Sequence, residues 1–384
     1  MDTTALFAAA QAQVESFLSD LAELVDIDSG TYTPEGVARV ADALQGRFEA
    51  AGALVERVAG TEYGPQLVAR WPGAGKGRIL LVGHMDTVFP DGEVMRRPFR
   101  IEDGRAYGPG VMDMKSGLLV GLYAARLLRG EAPWAELVMV CNSDEEIGSP
   151  SSHDLIAHLA SEADAVLVLE PNSRVDKVVI ARKGVATFRL DVTGLSAHAG
   201  VEPGKGHSAI IELSHRMIAV HALNETMPGV TLNVGVVHGG ERPNIVPDHA
   251  HALIDVRAPD PDSVAAVEAA LRRVADAEPI IAGTETRLSG RFAHHPFTQS
   301  VASKRLFGLA DSVARELGFA LTGGATGGGS DGNTAAAVGA ATLDGLGPVG
   351  GHAHNPGEYI EIASIAPRLA LVCGVIAGVG GLAI

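Results

Sequence analysis

Four apolar residues, Ile79-Leu80-Leu81-Val82, run directly into Gly83-His84-Met85-Asp86-Thr87-Val88. The run is too short to span a membrane, and its β-branched, glycine-bounded character suits a strand buried on both faces. Such a strand needs strands beside it and helices above and below, which directs the chain to an α/β fold. His84 and Asp86 then stand two residues apart, so extended backbone points both side chains to one side at the strand's end. A metal-bound imidazole commonly hands its other N–H to an acceptor such as a carboxylate. An isolated H-x-D is nonetheless common, and its weight depends on the residues downstream.

Strands are expected at Leu54–Val58, Gln66–Trp71, Leu137–Cys141 and Ala165–Leu169. Helices are expected over Thr4–Val25, Glu35–Ala51 and Ser116–Leu128, and from Ser149-Pro150 to Leu159. This alternation predicts a mainly parallel mixed sheet with helices on both faces. From about Val185 the texture changes. Strands near Thr187–Val192, Thr231–Val237 and Ala250–Val256, with helices over Ser208–Leu223 and Pro261–Ala277, give the β-α-β-β-α-β order of a small ferredoxin-like α+β sandwich. The expected organisation is a catalytic domain in two parts, 1–184 and 293–384, interrupted by an inserted lid or dimerisation domain, 185–292.

A formal net charge of −16 argues against nucleic acid or an anionic membrane as partner. The two cysteines, Cys141 and Cys373, lie in apolar runs and read as core residues of a reducing compartment. The start, Met1-Asp2-Thr3-Thr4, lacks a basic signal-peptide region, so a cytoplasmic location is expected. The apolar stretch Leu369–Ile384 is rich in glycine and shorter than the roughly 20 residues of a spanning helix; a buried terminal helix or strand is expected.

Four stations downstream of His84 carry chemistry. Gly108-Pro109-Gly110-Val111-Met112-Asp113-Met114-Lys115 presents Asp113 just before a helix, and fails as a phosphate loop because Met114 stands where glycine is required. Asn142-Ser143-Asp144-Glu145-Glu146-Ile147-Gly148 places three acids at a strand end, where they repel unless cations or water compensate. Glu170 ends the run Val166–Leu169, and Gly350-Gly351-His352-Ala353-His354-Asn355-Pro356-Gly357-Glu358 offers two more imidazoles. Imidazole and carboxylate without cysteine suit zinc, cobalt or manganese. If parallel strands bring their carboxyl ends to one edge, His84, Glu145, Glu146 and Glu170 converge there.

In order and in motif, nearly the whole chain resembles the di-zinc peptidases and deacylases that include glutamate carboxypeptidase, aminoacylase and succinyl-diaminopimelate desuccinylase. The resemblance implies two divalent ions, zinc foremost. His84 of G-H-M-D-T-V would bind one ion with Asp86 orienting its ring. Asp113 of G-V-M-D-M-K would bridge both. In S-D-E-E-I-G, Glu145 would be the general base and Glu146 a ligand of the second ion. Glu170 would complete the first ion's shell and His354 the second's, His354 being preferred to His352 because the family pattern sets a glutamate, here Glu358, shortly after the ligand. In the inserted domain, His198 of G-L-S-A-H-A-G resembles the histidine that reaches the scissile carbonyl, from the partner subunit in dimeric members. Asn244 of R-P-N-I-V-P and Arg257 of I-D-V-R resemble the pair that grips a substrate's free carboxylate.

The resemblance thus implies hydrolysis of an amide beside a free C-terminal carboxylate in a small peptide or N-acyl amino acid, by a homodimer joined through the inserted domain. By that resemblance, glutamate at position 170 favours carboxypeptidases and deacylases over aminopeptidase-like members, and the Gly108-Pro109-Gly110 turn with the loop Gly327–Asn333 looks closest to the glutamate carboxypeptidase branch. Two other readings compete. Gly328-Gly329-Ser330-Asp331-Gly332 matches a serine-nucleophile elbow with Asp344 and His352 downstream, although Gly323–Gly329 is expected to be a loop where the elbow needs a strand. A non-catalytic metal-binding module is the third, and it predicts damage to the ligand or base positions, all of which carry competent residue types. Dialysis against a chelator should abolish amide hydrolysis while a serine-directed phosphonate leaves it unchanged; the reverse outcome would select Ser330.

Overall fold

A computed structural model describes residues 3–382, apart from the side chains of 59–61; Met1, Asp2, Ala383 and Ile384, on which the expectations for the two chain ends partly rest, lie outside the described residues. The chain packs as two compact units. The first comprises 1–181, 299–326 and 330–384, and the second 182–298 with 327–329.

The first unit is built on a sheet whose strands are β1 (Leu54–Thr61), β2 (Gly64–Pro72), β3 (Arg78–His84), β4 (Glu136–Asn142), β5 (Ala165–Val168) and a short last strand, Thr342–Leu343. Their order is β1-β2-β4-β3-β5 followed by Thr342–Leu343. The β1–β2 and β2–β4 joins are antiparallel, and the joins of β3 to β4, β3 to β5 and β5 to the last strand are parallel. Ile79 and Leu81 of β3 pack into the larger core, beneath helices that include Pro34–Ala50, Ser116–Leu128 and Ile365–Val379, while Leu80 and Val82 face a smaller cluster with Ile156, Leu159 and Ala335. Both faces being covered explains why the strand is apolar at every position rather than at alternate ones. The parallel joins also align the carboxyl ends of β3, β4 and β5 at one edge.

The terminal apolar stretch folds as the helix Ile365–Val379. With the turn before it, this segment is long and apolar enough to cross a membrane, yet most of it is buried against the helices Thr3–Ala12, Ser116–Leu128 and Val301–Glu316. Three local expectations are corrected. The opening helix breaks at Gln13 into Thr3–Ala12 and Val14–Val25. Ser149 does not cap a helix: its φ is 55°, its hydroxyl donates to Asp331, and the helix begins at His153. The glycine-rich stretch before Ser330 contains a strand, Thr322–Thr326, paired with Lys177–Arg182; a Cβ on Gly323 would lie 2.6 Å from Ile180, so the missing side chain permits the pairing.

The second unit has the order β6 (Gly184–Thr193), a helix Ala209–Thr226, β7 (Thr231–Gly239), β8 (His249–Ala258), a helix Pro261–Asp276 and β9 (Glu285–His294). Its fully antiparallel sheet runs β7-β8-β6-β9, the arrangement of a ferredoxin-like sandwich. Ala186, Phe188, Leu190 and Val192 of β6, with Ala250, Ala252, Ile254 and Val256 of β8, form one buried face against Leu213, Val220, Val267 and Leu271 of the helices. The alternate residues, polar except for Val185 and Leu253, lie on the opposite face, the period-2 pattern of a half-covered sheet.

Cys141 on β4 and Cys373 in the terminal helix are free and wholly buried; burial lifts the Cys373 thiol to about 12 and pushes Cys141 upward as well. Neither can supply thiolate near neutral pH. A colorimetric thiol titration at pH 8 should therefore detect neither cysteine in the native protein and both after denaturation.

Candidate metal centre

His84 closes β3, and the chain beyond it is held to its neighbours by Met85 N donating to Asn142 O (2.8 Å) and Thr87 N donating to Ser29 O (2.8 Å). The His84 ring is buried, with Nδ1 2.9 Å from the main-chain oxygen of Asp86 and 3.4 Å from its carboxylate. A carbonyl can only accept, so Nδ1 carries the hydrogen and Nε2 is left to face outward. Asp86 thus orients the ring chiefly through its backbone. Its carboxylate does something the sequence did not suggest: it accepts from Thr31 Oγ1 (2.7 Å) and from the N–H groups of Glu145 (3.2 Å) and Glu146 (3.3 Å).

Asp113 sits on a turn that only glycine permits at Gly110. There φ is +70° and a Cβ would lie 2.5 Å from the Thr87 side chain. The turn is clamped by Glu358, whose buried carboxylate accepts from the N–H groups of Gly110 (3.1 Å), Met112 (2.8 Å) and Asp113 (3.0 Å). Just upstream of Glu358, His354 adopts φ 61°, an uncommon left-handed conformation for a residue with a side chain, and directs its ring at the same aspartate. His352 instead packs on Tyr359, with ring centroids 5.8 Å apart.

The three acids after β4 separate. Asp144 turns inward and accepts from Ser151 N (2.6 Å), Ser151 Oγ (2.6 Å) and Ser152 Oγ (2.5 Å), so it is structural. Glu145 and Glu146 start a short 3₁₀ turn and face the histidines. Two triads result, sharing Asp113. In one, His84 Nε2 lies 3.1 Å from Asp113 Oδ1 and 3.6 Å from Glu170 Oε1; in the other, His354 Nε2 lies 3.2 Å from Asp113 Oδ2 and 3.3 Å from Glu146 Oε2. Glu145 Oε2 stands 4.0 Å from His84 Nε2. All these groups belong to the first unit.

Crowded acids distort each other's ionisation. Burial, with repulsion from Glu170, Asp331 and Glu146, raises Glu145 well above the carboxylate range; burial raises Glu146 as well. Asp113 moves the other way: its burial is outweighed by hydrogen bonds from His354 and His84. Bonds to Asp113 and Glu146 raise His354 to about 10, and His84 is raised too, its burial outweighed by Asp113 and Asp86. The cluster favours positive charge at the two imidazole nitrogens. Beside Glu146 opens a cleft of about 410 Å³ lined by Tyr32, Val88, Phe89, Pro90 and Ile147.

In the second unit, His198 Nδ1 accepts the N–H groups of Gly200 and Val201 (both 3.1 Å), which leaves Nε2–H as the donor of the neutral ring. Asn244 is exposed in the adjoining loop, its carbonyl accepting Ala199 N (3.0 Å). Arg257 is distant from both. Its fork grips Asp255 (Nε to Oδ1 2.9 Å, Nη2 to Oδ2 2.8 Å) near the far end of β8, on the order of 25 Å along the strand from the His249 end where Asn244 lies. The expectation that Asn244 and Arg257 grip one carboxylate therefore fails within a single copy, because a ten-residue strand separates them.

Residues 80–378 match the family model described as Peptidase family M20/M25/M40. The chain belongs to this family. Carboxypeptidase G2 of Pseudomonas sp. (strain RS-16) is 33% identical over 383 residues, spanning 98% of this chain and 92% of the relative. Acetylornithine deacetylase of Myxococcus xanthus is 32% identical over 257 residues, 62% of this chain and 65% of that one. Among solved structures, a tripeptidase of Staphylococcus aureus aligns with a TM-score of 0.81 at 23% identity over 96% of this chain and 99% of its own, which supports the fold.

The geometry of this M20 chain disposes of the serine reading. Ser330 is buried and caps the helix Asp331–Ala337; its hydroxyl donates to Asp344 (2.7 Å) and accepts from Gly332 N (3.0 Å), with no imidazole between serine and aspartate. Glu358 is the functional residue whose part was missed, since its sequence signal was only a glutamate four residues after His354. Glu358→Ala would leave three buried N–H groups unpaired and loosen Asp113. Divalent-ion affinity should fall about 10- to 100-fold, measured by competition with a chromophoric chelator, with Glu358→Gln milder because it retains an acceptor oxygen.

Proposed function

We propose that this M20 chain is a hydrolase dependent on two divalent ions, zinc foremost with cobalt and manganese as alternatives, that cleaves an amide beside a free C-terminal carboxylate. The carrying observation is Asp113 held between two imidazoles, one at each carboxylate oxygen. Donors of one tetrahedral zinc lie about 3.3 Å apart, and the imidazole–carboxylate contacts of the two triads run from 3.1 to 3.6 Å. The buried Oε1 of Glu146 has no hydrogen-bond partner, which also fits a ligand role. His84, Asp113 and Glu170 would hold one ion and Asp113, Glu146 and His354 the other. Bound there, the ions would polarise the carbonyl and lower the pKa of a shared water.

The chain's own groups do the rest. Glu145, raised by burial, takes the proton of the attacking water and passes it to the leaving amine. Asp86 fixes His84 from one side and the Glu145–Glu146 turn from the other. His198 offers Nε2–H to the developing oxyanion, and Arg257 releases Asp255 to receive the substrate carboxylate. Because Arg257 is remote from His198 and Asn244 within one copy, the reading takes His198 and Asn244 from the partner in a homodimer formed through the second unit. The likeness to carboxypeptidase G2 along almost the whole chain favours a carboxypeptidase acting on a C-terminal glutamate or similar residue. The shorter likeness to acetylornithine deacetylase supports N-acyl amino acid deacylation as the second reading. The cleft by Glu146 suits an apolar or aromatic group on the substrate. The site of action is the cytoplasm.

Glu145→Gln should lower turnover by at least about 10²- to 10⁴-fold while retaining the bound metal, read by elemental analysis of the same sample; wild-type turnover would remove Glu145 from the mechanism. His198→Ala and Arg257→Ala should each be nearly inactive, yet regain roughly a quarter of parental turnover when dissociated and reassembled together. Half the dimers are then mixed, and each mixed dimer has one intact site of two. No gain on mixing would refute the shared site. A screen of N-acyl amino acids and dipeptides varying the C-terminal residue separates carboxypeptidase from deacylase.

A further inference from the structure

The outward face of the second unit's sheet carries a cluster that the hydrolytic reading leaves unused. His249 and His251 lie two apart on β8, so both rings project from the same side of the strand. Asp191 of β6 is registered directly across from His251, and His238 of β7 directly across on the other side. The ring centroids of His238 and His251 are 5.2 Å apart, and those of His249 and His251 6.0 Å. One donor atom from each of Asp191, His249 and His251 lies within 4.8 Å of the other two, with His249 Nε2 3.8 Å from Asp191 Oδ1. We propose that Asp191, His249 and His251 form a separate binding site for one zinc ion or a similar borderline divalent cation, with His238 available as a fourth donor.

The chemistry supports a cation of this class. Two imidazoles and one carboxylate suit zinc, nickel or copper, whereas magnesium and calcium prefer all-oxygen shells. Donors of one tetrahedral zinc stand about 3.3 Å apart, so the 3.8 Å separation closes with a small rotation of an imidazole. Arg189 holds Asp191 in a fork, Nε to Oδ2 at 2.7 Å and Nη2 to Oδ1 at 2.8 Å. A carboxylate has about four lone-pair positions, so the fork fixes the orientation of Asp191 while leaving acceptor capacity toward the histidines. A cleft of about 370 Å³ lined by Ser196, His238, Glu241, Asp248, His249 and His251 gives an ion access from solvent. None of these residues belongs to the Asp113 cage, so the site stands or falls independently of the proposed reaction.

The test counts zinc on the full-length protein. Metal-stripped parent and the double variant His249→Ala/His251→Ala are equilibrated with zinc, freed of excess ion and analysed for metal per chain. The variant should bind about one equivalent fewer, keep parental amide hydrolysis, and have an unchanged thermal midpoint in the stripped state. Asp191→Asn should retain the equivalent with zinc affinity weakened about tenfold. Equal zinc counts in parent and double variant would overturn the site. Loss of hydrolysis together with loss of more than one equivalent would also overturn it, since the histidines would then belong to the cage rather than to a separate site.

Discussion

Like charges packed where water is scarce set the terms for the whole first unit. Asp86, Asp113, Glu145, Glu146 and Glu170 gather around two imidazoles at the carboxyl edge of the sheet, and such a gathering is unstable unless positive charge enters it. Arg368, buried in the same unit, spends its fork on the backbone carbonyls of Gly347 and Val175. Two of the cluster's stations are held in place by hydrogen bonds. Asp86 is fastened by a hydroxyl and two amides, and the turn of Asp113 by Glu358.

The scaffold achieves this with simple means. Parallel joins bring three strand ends level, and the turns beyond them need few residues to reach the same point. Where backbone must pass close, side chains are absent: Gly110 against Thr87, and Gly83 beneath Met114 and Leu118. The acids that do not face the cage are also occupied. Asp144 and Asp331 are enclosed by Asn142, Ser149, Ser151 and Ser152, forming a buried polar layer behind Glu145 and Glu146. Burial raises Asp331 to about 6, against the opposing pull of the hydrogen bond from Ser149.

Much of this was legible from residue order. His84, Glu145, Glu146 and Glu170 each follow a strand in a pattern that predicts convergence, Asp113 joined them through the family resemblance, and the alternation of β6 and β8 gives the second sandwich directly. What stayed hidden depends on contacts between distant segments. Apart from the family resemblance, nothing in S-D-E-E distinguishes the buried first acid from the two that face the cage, because the partners of Asp144 are serines in the next turn. Glu358 could be seen as a marker but not as a clamp, since its three donors lie some 245 residues earlier. The separation of Asn244 from Arg257 arises from a strand running straight between them, whereas the family resemblance had paired the two residues.

The clamp ties the two ends of the chain's synthesis together. Asp113 leaves the ribosome early, but neither the amides of its turn nor its second imidazole find their partners until residues 354 to 358 have been made, after the whole of the second unit. A nascent chain therefore carries an incomplete pocket until residues 354 to 358 have been added.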